Sequence, residues 1–406
     1  MQSPGYSIVL DVVSEGYDRK MGWWLPRVGV LPPCGAVLTM AQSDQDQNDV
    51  LTGISSMRSD DPGKTWTKPV LQAALGRQPL GDGYELCLTD TTPAWHAKTG
   101  TLLMTGETTV YHPQVREPVR DTRFPRQVAY SVYDESDDAW SAPRTLALPD
   151  GGDRFLWFGA GAAQRVDLQD GQVLLPVYGH GREWVTSHYE AVFNVVTVLR
   201  CSFDGAELEY LEHGDELSVT TPRGLYEPSL TRSGGRFYLT LRNDERGYVA
   251  QGDDDLHFET PRPWTFDDGT ELGSYCTQQH WIAHSEGLFL VYTRRGADND
   301  HIQRHRAPLF MAMVDVDRLV VIRETERVVV PETGATLGNF GTVNVSRDES
   351  WITVAESMQN GSWDLSSRLE AERRGANNRV YISRICWKRP NELFDVGAVD
   401  TVSQPG

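Results

Sequence analysis

The densest group of residues that could carry out acid–base or metal chemistry lies in residues 299–306, where His301 and His305 are followed by Arg306. Histidines four residues apart can ligate a metal ion when a helix places them on one face. Here the flanking pattern indicates a loop between strands, and the nearby sequence holds no cysteine or third histidine. We therefore interpret the cluster as a substrate-binding loop at the rim of a pocket and predict no metal site.

Two other histidines and one tyrosine could accept protons. His96 and His280 each open a predicted strand hairpin, where a side chain could reach the interior of the fold and act as a general base near neutral pH. Tyr275 could supply a hydroxyl group close to His280 in the sequence. The alternative for each is a structural role, as a hydrogen-bonded histidine or an aromatic side chain in the wall of the fold.

The charge balance excludes several classes of protein. The chain has 38 Lys and Arg against 57 Asp and Glu, a formal net charge of −19, so it lacks the basic surface expected of a nucleic-acid-binding protein. This charge also disfavours docking on an anionic membrane, and no apolar run approaches the roughly 18 residues of a membrane span. No glycine-rich phosphate-binding loop is present. The balance still permits a small basic pocket inside an acidic shell.

The cysteines indicate neither a disulfide framework nor a zinc site, because they are odd in number and widely scattered. We expect buried free thiols in a reducing compartment. The first residues lack the charged and apolar regions of a signal peptide, so we expect a cytoplasmic protein, or a secreted one if a leader has been removed. The five cysteines are Cys34, Cys87, Cys201, Cys276 and Cys386.

The elements that must position these side chains are strands. A small turn residue followed by an apolar strand recurs at intervals of roughly 50 to 70 residues, and no long stretch has a helical period. Six such units predict an all-β fold, a six-bladed β-propeller, as a single domain over residues 1–406. The early strand 7–13 is expected to pair with the last unit, and a β-sandwich or two β domains is the alternative. The turn residues are Gly35, Gly100, Gly171, Gly235, Gly287 and Ser350.

One turn has a recognisable pattern. Residues 59–66 fit the Asp-box sequence S-x-D-x-G-x-x-W, in which Gly63 permits a positive φ, Ser59 and Asp61 cap turn amides, and Trp66 packs between neighbouring sheets. Weaker copies lie at 133–140, 202–205 and 252–258. The motif is structural and does not by itself indicate a reaction.

The repeats and this turn resemble the sialidase (neuraminidase) superfamily of six-bladed propellers over nearly the whole chain. In that superfamily three arginines bind the carboxylate of the substrate. The resemblance implies this role for Arg27 in the first blade, for Arg242, which follows Glu227 by one hairpin, and for Arg306. The last position has two rivals, Arg294 and Arg295.

The resemblance also implies acid–base residues. Glu227 is the glutamate that accompanies the second arginine, and an acid–base aspartate belongs in the loop before the Asp box, where Asp46 has the best spacing and Asp44 and Asp49 are alternatives. The superfamily's tyrosine nucleophile belongs near residues 338–341, where Phe340 has no hydroxyl. A covalent tyrosyl intermediate therefore cannot form at that position.

These residues lead to a first hypothesis, a sialidase-like exo-glycoside hydrolase acting on a glycan with a carboxylate-bearing sugar, a sialic or uronic acid. The three arginines would hold the carboxylate, and Glu227 and Asp46 would serve as acid and base. Without the tyrosine, water activated by a carboxylate would invert the anomeric centre. We expect an oligosaccharide or polysaccharide as partner, no required cofactor, and room for a structural calcium ion.

Two alternatives remain open. In a polysaccharide lyase the same arginines would neutralise a uronate carboxylate, and His96, His280 or Tyr275 would remove the proton at C5 in a β-elimination. A non-catalytic glycan-binding propeller would keep the fold and lack the reaction.

Overall fold

The computed structural model describes residues 5–46, 49–112, 115–119, 123–149, 153–182, 192–359 and 364–394. Their strands form six separate sheets, and sheets that follow one another in the chain pack side by side around a ring. The predicted all-β, six-bladed β-propeller is confirmed.

The first strand, β1 (Tyr6–Ser14), belongs to the last sheet, and the first three blades follow it in chain order. Blade one contains β2 (Met21–Leu31), β3 (Gly35–Asp44), β4 (Leu51–Ser59) and β5 (Val70–Gly76). Blade two contains β6 (Gln78–Gly81), β7 (Tyr84–His96), β8 (Thr101–His112), β9 (Val115–Pro118), β10 (Val128–Asp134), β11 (Ala139–Trp140) and β12 (Arg144–Thr145). Blade three contains β13 (Trp157–Gly159), β14 (Val166–Asp167), β15 (Val173–His180), β16 (Phe193–Phe203), β17 (Leu208–His213) and β18 (Arg223–Gly224).

The second half of the ring has the same layout. Blade four contains β19 (Tyr226–Ser233), β20 (Arg236–Arg242), β21 (Tyr248–Gly252) and β22 (Arg262–Pro263). Blade five contains β23 (His280–His284), β24 (Gly287–Tyr292), β25 (Leu309–Asp315), β26 (Val320–Val321) and β27 (Arg327–Val330). Blade six contains β28 (Gly341–Asn344), β29 (Glu349–Ala355) and β30 (Val380–Trp387), and β1 completes it.

The pairing of β1 with β30 joins the two ends of the described chain. The strands run antiparallel from the pair Tyr6 and Trp387 to the pair Ser14 and Val380. The strand predicted at residues 7–13 therefore pairs with the last unit, as expected.

The hydrophobic core is divided into six main clusters, one at each junction between neighbouring blades. Alternation along β24 shows how one strand serves two junctions: Leu288 and Leu290 face blade four, whereas Phe289 and Val291 face blade six. Side chains of a strand alternate between the two faces of its sheet, so a blade that is covered on both faces needs apolar residues at nearly every position. This explains the continuous apolar runs of the inner strands.

The turn at residues 59–66 is held by its own side chains. The Gly63 amide donates to Ser59 Oγ at 2.8 Å, and the Thr65 amide donates to Asp61 Oδ1 at 2.8 Å. Gly63 has a φ of 69°, and Trp66 packs edge-on against Trp351 of blade six. Aspartates that accept backbone amides recur at the corresponding turns of the next four blades: Asp134, Asp204, Asp254 and Asp315.

Helices are few. The one α-helix of the described residues is α1 (Leu365–Arg373), and two 3₁₀ turns cover Gln303–His305 and Arg323–Thr325. Among the residues placed by the structure, no helix has the length and apolar character needed to cross a membrane. All five cysteines are free, but Cys34 is exposed and Cys386 partly exposed, so the expectation that all are buried was wrong.

A kink near the centre of the ring recurs in five blades. On or beside each innermost strand one residue has a positive φ between 45° and 56°. In blades one, two and four it coincides with a shift in strand register, as in a β-bulge, which redirects the neighbouring side chains. The five residues are Leu25, Asp90, Ala162, Glu227 and Cys276.

Candidate active site

The three predicted arginines reach one cluster from three blades. Arg27 follows the kink in β2, is 2% exposed, and donates from Nη2 to Oε1 of Gln278 in blade five at 2.8 Å. Arg306, after the 3₁₀ turn of blade five, donates from Nε to the Cys276 carbonyl at 3.2 Å. Both side chains are therefore fixed by polar groups of blade five.

Arg242 is paired with the glutamate predicted to accompany it. Its Nη1 donates to both carboxylate oxygens of Glu227 at 2.6 Å, and its Nη2 lies 3.7 Å from Cys276 Sγ. The guanidinium carbon is 4.6 Å from the centre of the Tyr226 ring. Because Cys276 contacts both Arg242 and Arg306, these two arginines are neighbours across blades four and five.

Glu227 connects the whole cluster electrostatically. Its charge acts to raise the pKa values of all three arginines. Burial nevertheless lowers the pKa of Arg27 to about 10, and burial together with the charge of Arg242 lowers that of Arg306 to about 10. For Arg242 burial acts in the same direction, but Glu227 overcomes it and the pKa lies well above its ordinary value. All three are cations at neutral pH.

The segment 338–341, where the sequence resemblance led us to look for a tyrosine, has a different task. A β-carbon on Gly338 would lie 2.3 Å from Arg306 Cδ, so glycine there leaves room for the arginine. Phe340 is completely buried between blades five and six and packs edge-on against His280. No hydroxyl group is presented to the cluster from this position.

Four residues of the site were missed by the sequence analysis. Asp90 and Glu107 come from β7 and β8, and burial raises the pKa values of both carboxyl groups. The charge of Glu227 acts in the same direction on both, and that of Glu107 on Asp90. Arg126 forms a 3.5 Å ion pair with Glu107, and its guanidinium lies over the ring of Tyr178, 4.2 Å from the ring centre. A sequence signal existed, because Asp90 occupies the same place in its blade as Glu227.

The acidic loop of blade one is tied to the helix of blade six. Arg368 of α1 forms an ion pair with Asp46 and donates to the Gln45 carbonyl at 2.8 Å. Asp46 is about half exposed, whereas the charge of Asp49 acts on Asp90 and raises its pKa. Of the three aspartates considered for this loop, Asp49 rather than Asp46 is thus electrostatically linked to the cluster.

His96 is the last residue of β7, six residues beyond Asp90 in the middle of the strand. Its Nδ1 bonds to Thr99 Oγ1 at 2.8 Å and its Nε2 to the Gly171 carbonyl at 2.9 Å. With both ring nitrogens occupied and the side chain fully buried, His96 links blades two and three. The structure does not bring it to the arginine cluster, because it sits beside the hairpin turn and not at the kink.

His280 lies beneath the cluster. Its Nδ1 bonds to Ser229 Oγ at 2.7 Å and its Nε2 to Gln278 Oε1 at 3.4 Å, so it shares Gln278 with Arg27. Burial, reinforced by the charge of Arg27, holds the pKa of His280 well below its ordinary value. This histidine is a neutral support for Gln278 at physiological pH.

The polar cluster at 299–306 divides into two parts. His305 shares a 2.6 Å hydrogen bond with the Tyr275 hydroxyl, whereas His301 pairs with Glu332 at 3.2 Å. The rival arginines are engaged elsewhere, Arg294 with Glu326 and Arg295 with Glu271. Across the described ranges, no three His, Cys, Asp or Glu side chains are placed to hold a metal ion.

Comparisons with known proteins bear on the fold. No protein-family model matches the chain, and neither does any curated protein sequence. The Hadza microbial sialidase Hz136 superposes with a TM-score of 0.59 at 11% identity, covering 90% of this chain and 66% of that one. The Trypanosoma rangeli sialidase gives 0.57 at 12% identity, covering 94% and 60%. The fold is that of the sialidases.

Two further solved structures superpose on this chain over nearly its whole length. NanB sialidase from Streptococcus pneumoniae has a TM-score of 0.59 at 10% identity and covers 92% of this chain and 70% of its own. A protein of unknown function from Dyadobacter fermentans has a TM-score of 0.64 at 15% identity and covers 95% of this chain and 100% of its own. Identities this low establish the shared fold and leave the reaction to be argued from the site.

Proposed function

We propose that this protein is a carbohydrate-active enzyme, a sialidase-like exo-glycoside hydrolase that acts on glycans ending in a sialic or uronic acid. One observation carries the proposal. Arg27 and Arg306 enter one cluster from blades one and five, and among the described residues neither forms an ion pair with a carboxylate. Unpaired cations with little access to water are costly, so a site of this kind favours an anionic ligand.

The cluster suits a carboxylate in particular. A guanidinium presents two parallel N–H groups that match the two oxygens of a carboxylate, and such pairs are among the stronger hydrogen bonds of proteins. The Nε atoms of Arg27 and Arg242 are buried and lack an acceptor among the residues described. A sugar carboxylate would satisfy donors that the protein leaves unused.

Hydrolysis also requires a proton donor for the departing oxygen. Burial and the charges of Glu107 and Glu227 keep the pKa of Asp90 well above the ordinary value, so its carboxyl group retains a proton where a free aspartate has lost it. We assign proton donation to Asp90. Asp46 is the weaker candidate because its carboxylate is bound by Arg368, and Glu227 is assigned to positioning Arg242.

The lyase alternative uses the same arginines. Neutralising a uronate carboxylate acidifies the proton on the adjacent carbon, and the Tyr275 hydroxyl could accept that proton. The two reactions are distinguished by their products. Hydrolysis releases a free sugar, whereas elimination leaves an unsaturated uronate that absorbs ultraviolet light.

The proposal is tested by initial rates with aryl glycosides of sialic acid and glucuronic acid, with an aryl glucoside as the neutral control. A 4-linked uronate oligosaccharide is assayed in parallel for ultraviolet absorbance. We expect release of aglycone from at least one acidic glycoside and none from the glucoside. Equal cleavage of the glucoside would overturn the proposal, as would intact acidic glycosides; absorbance from the oligosaccharide would favour the lyase.

A further inference from the structure

Cys276 stands at the kink of blade five, the place that Asp90 has in blade two and Glu227 in blade four. Its φ is 50° and it is 7% exposed. Two of the five kinks therefore carry a carboxylate, whereas blade five carries a thiol. A protonated thiol has no charge, but oxidation of its sulfur to a sulfinate creates an anion.

The sulfur of Cys276 lies within the arginine cluster. Arg242 Nη2 donates to Sγ at 3.7 Å, and the thiol is hydrogen-bonded to the Asp244 carboxylate. Arg306 donates from Nε to the carbonyl of the same cysteine at 3.2 Å, and a negative charge on the sulfur acts on Arg306 as well. The thiol is thus next to two of the three arginines proposed to bind a sugar carboxylate.

Arg242 has donors that a thiol satisfies poorly. Its Nη1 is bonded to Glu227, its Nη2 donates to sulfur, and its Nε is buried without an acceptor among the residues described. Only 9% of this side chain is exposed, so water has little access to these groups. Sulfur is a weak hydrogen-bond acceptor, whereas an oxygen that carries negative charge is a strong one. Anionic oxygens attached to Cys276 Sγ would therefore be stabilised by Arg242.

The other four cysteines have different surroundings. Cys87 and Cys201 are at most 1% exposed, and burial raises the pKa of each to about 12, which keeps them as unreactive thiols. Cys34 is exposed, and its sulfur lies 3.8 Å from a backbone carbonyl oxygen. Cys386 is partly exposed, and its sulfur lies 3.6 Å from a carboxylate oxygen of Glu349. These neighbouring oxygens would oppose an anionic sulfur group instead of stabilising it.

We propose that Cys276 is an oxidation site that controls the arginine cluster: hydrogen peroxide converts its thiol to a sulfinate, which pairs with Arg242 and excludes an acidic sugar. The inference rests on the proposed function, because it concerns the site that would bind the sugar carboxylate. The sulfur attacks one peroxide oxygen, the O–O bond breaks, and a sulfenic acid and water are formed. A second peroxide adds the second oxygen in the same way, and the resulting sulfinic acid releases its proton.

A sulfinate at this position would act as an internal substitute for the substrate. Like a carboxylate, it distributes one negative charge over two oxygens. It would stand at the kink of blade five as Glu227 stands at that of blade four, and its charge would act on both Arg242 and Arg306. The cations that favour an anionic ligand would then be neutralised from within the protein. Ordinary thiols do not reduce a sulfinate, so the block would persist.

The first experiment measures how charge directs reagents to Cys276. The full chain is treated with iodoacetate, an anion, or with iodoacetamide, its neutral analogue, and the modified peptides are quantified by mass spectrometry. We expect the preference for iodoacetate to be roughly 10-fold greater at Cys276 than at Cys34 in the same sample. Arg306→Met should remove most of this difference. The same preference at both cysteines would overturn the inference.

The second experiment follows oxidation by hydrogen peroxide. We expect the Cys276 peptide to gain two oxygen atoms before the peptides of Cys87 and Cys201 change, and turnover of acidic aryl glycosides to fall with the modified fraction. Cys276→Ser should give the same rate before and after treatment, whatever that rate is. Cys34→Ser is the matched control and should remain sensitive to peroxide.

The outcomes separate this inference from the proposed function. A loss of turnover that persists in Cys276→Ser, or full turnover by a protein oxidised at Cys276, would overturn the control of the site by oxidation. Failure of Cys276 to gain oxygen ahead of the two buried cysteines would overturn the oxidation site itself. Acidic glycosides left intact by the untreated protein would instead overturn the proposed function, and the labelling and oxidation of Cys276 would still be decided by mass.

Discussion

A β-carbon on Gly341 would lie 2.4 Å from Cδ of Arg27, so an arginine of blade one reaches the centre of the ring only because blade six has no side chain there. Gly338 stands in the same relation to Arg306. Between the two glycines, Phe340 turns into the core. The positive charge of the pocket therefore depends on the smallest residues of blade six as much as on the arginines.

Replacing either glycine should weaken the binding of acidic substrates. Gly338→Ala and Gly341→Ala would each push an arginine from its position, at a cost of about 1–3 kcal/mol, and we expect KM to rise about 10-fold with a smaller change in kcat. Gly76→Ala is the matched control, because its β-carbon would meet only the Ala73 carbonyl, at 3.7 Å. Unchanged KM values in both glycine variants would show that the arginines do not hold the substrate.

Removing an unpaired arginine and removing the carboxylate partner of a paired one should affect the free energy of unfolding differently. Arg306→Met removes a cation that has no ion-pair partner in the described chain, so the free energy of unfolding should stay within about 1 kcal/mol while turnover is lost. Glu227→Ala leaves Arg242 buried and unpaired, and we expect a loss of about 3–5 kcal/mol. Chemical denaturation together with kinetics checks both, and a large loss of stability in Arg306→Met would contradict the unpaired state.

The raised pKa of Asp90 predicts a pH-dependent stability of defined sign. Asp90 keeps its proton in the folded chain at pH values where the unfolded chain has released it. Its contribution is therefore complete below the ordinary aspartate pKa of about 4 and is lost as pH rises towards the raised value. Denaturation of Asp90→Asn across this range should lack that decline.

The same substitution should change the pH profile of activity. If Asp90 donates the proton, kcat falls as the pH passes its raised pKa, and Asp90→Asn lowers kcat roughly 10²-fold. The alkaline limb should disappear in that variant. An alkaline limb that persists with its original midpoint would assign proton donation to another group.

His96 should matter for folding and not for turnover. His96→Leu removes both hydrogen bonds of the ring and leaves the Gly171 carbonyl buried without its partner, at a cost of about 1–3 kcal/mol. The unfolding midpoint should fall, and kcat measured well below it should not change. A loss of kcat larger than the loss of folded protein would return His96 to the list of general bases.

The fold could be predicted because each repeat is marked by a pattern of turn and apolar residues that are close together in the sequence. Gly35, Gly100, Gly235 and Gly287 each lie at or beside the turn between the first two long strands of a blade, and Gly171 lies just before the first long strand of blade three. Both faces of such strands are apolar. Such signals need no knowledge of distant contacts. The closing pair of β1 and β30 was also predictable, because a ring of repeats has to join its ends.

The site was predictable only where a pattern marked it. Arg27, Arg242 and Glu227 lie in recognisable segments, whereas Asp90 and Glu107 are brought together by a kink in β7 and by space beside Gly161, which only the folded chain reveals. We expected His96 at the level of the kink because it opens a hairpin. It lies six residues beyond the kink residue Asp90, at the end of β7. The hydrogen bond between Tyr275 and His305 joins residues 30 positions apart in the sequence, so no local pattern indicates it.

The kink repeated in five blades also makes this ring adaptable. Each kink redirects the backbone of its blade, and strand pairing around it depends on backbone bonds, not on which side chain stands there. The residues at the five kinks differ in chemistry: Leu25, Asp90, Ala162, Glu227 and Cys276. Exchanging Glu227, which pairs with Arg242, would alter the ligand that the ring accepts while the blades keep their registers. Specificity and architecture are thus encoded at separate positions, and one can change without the other.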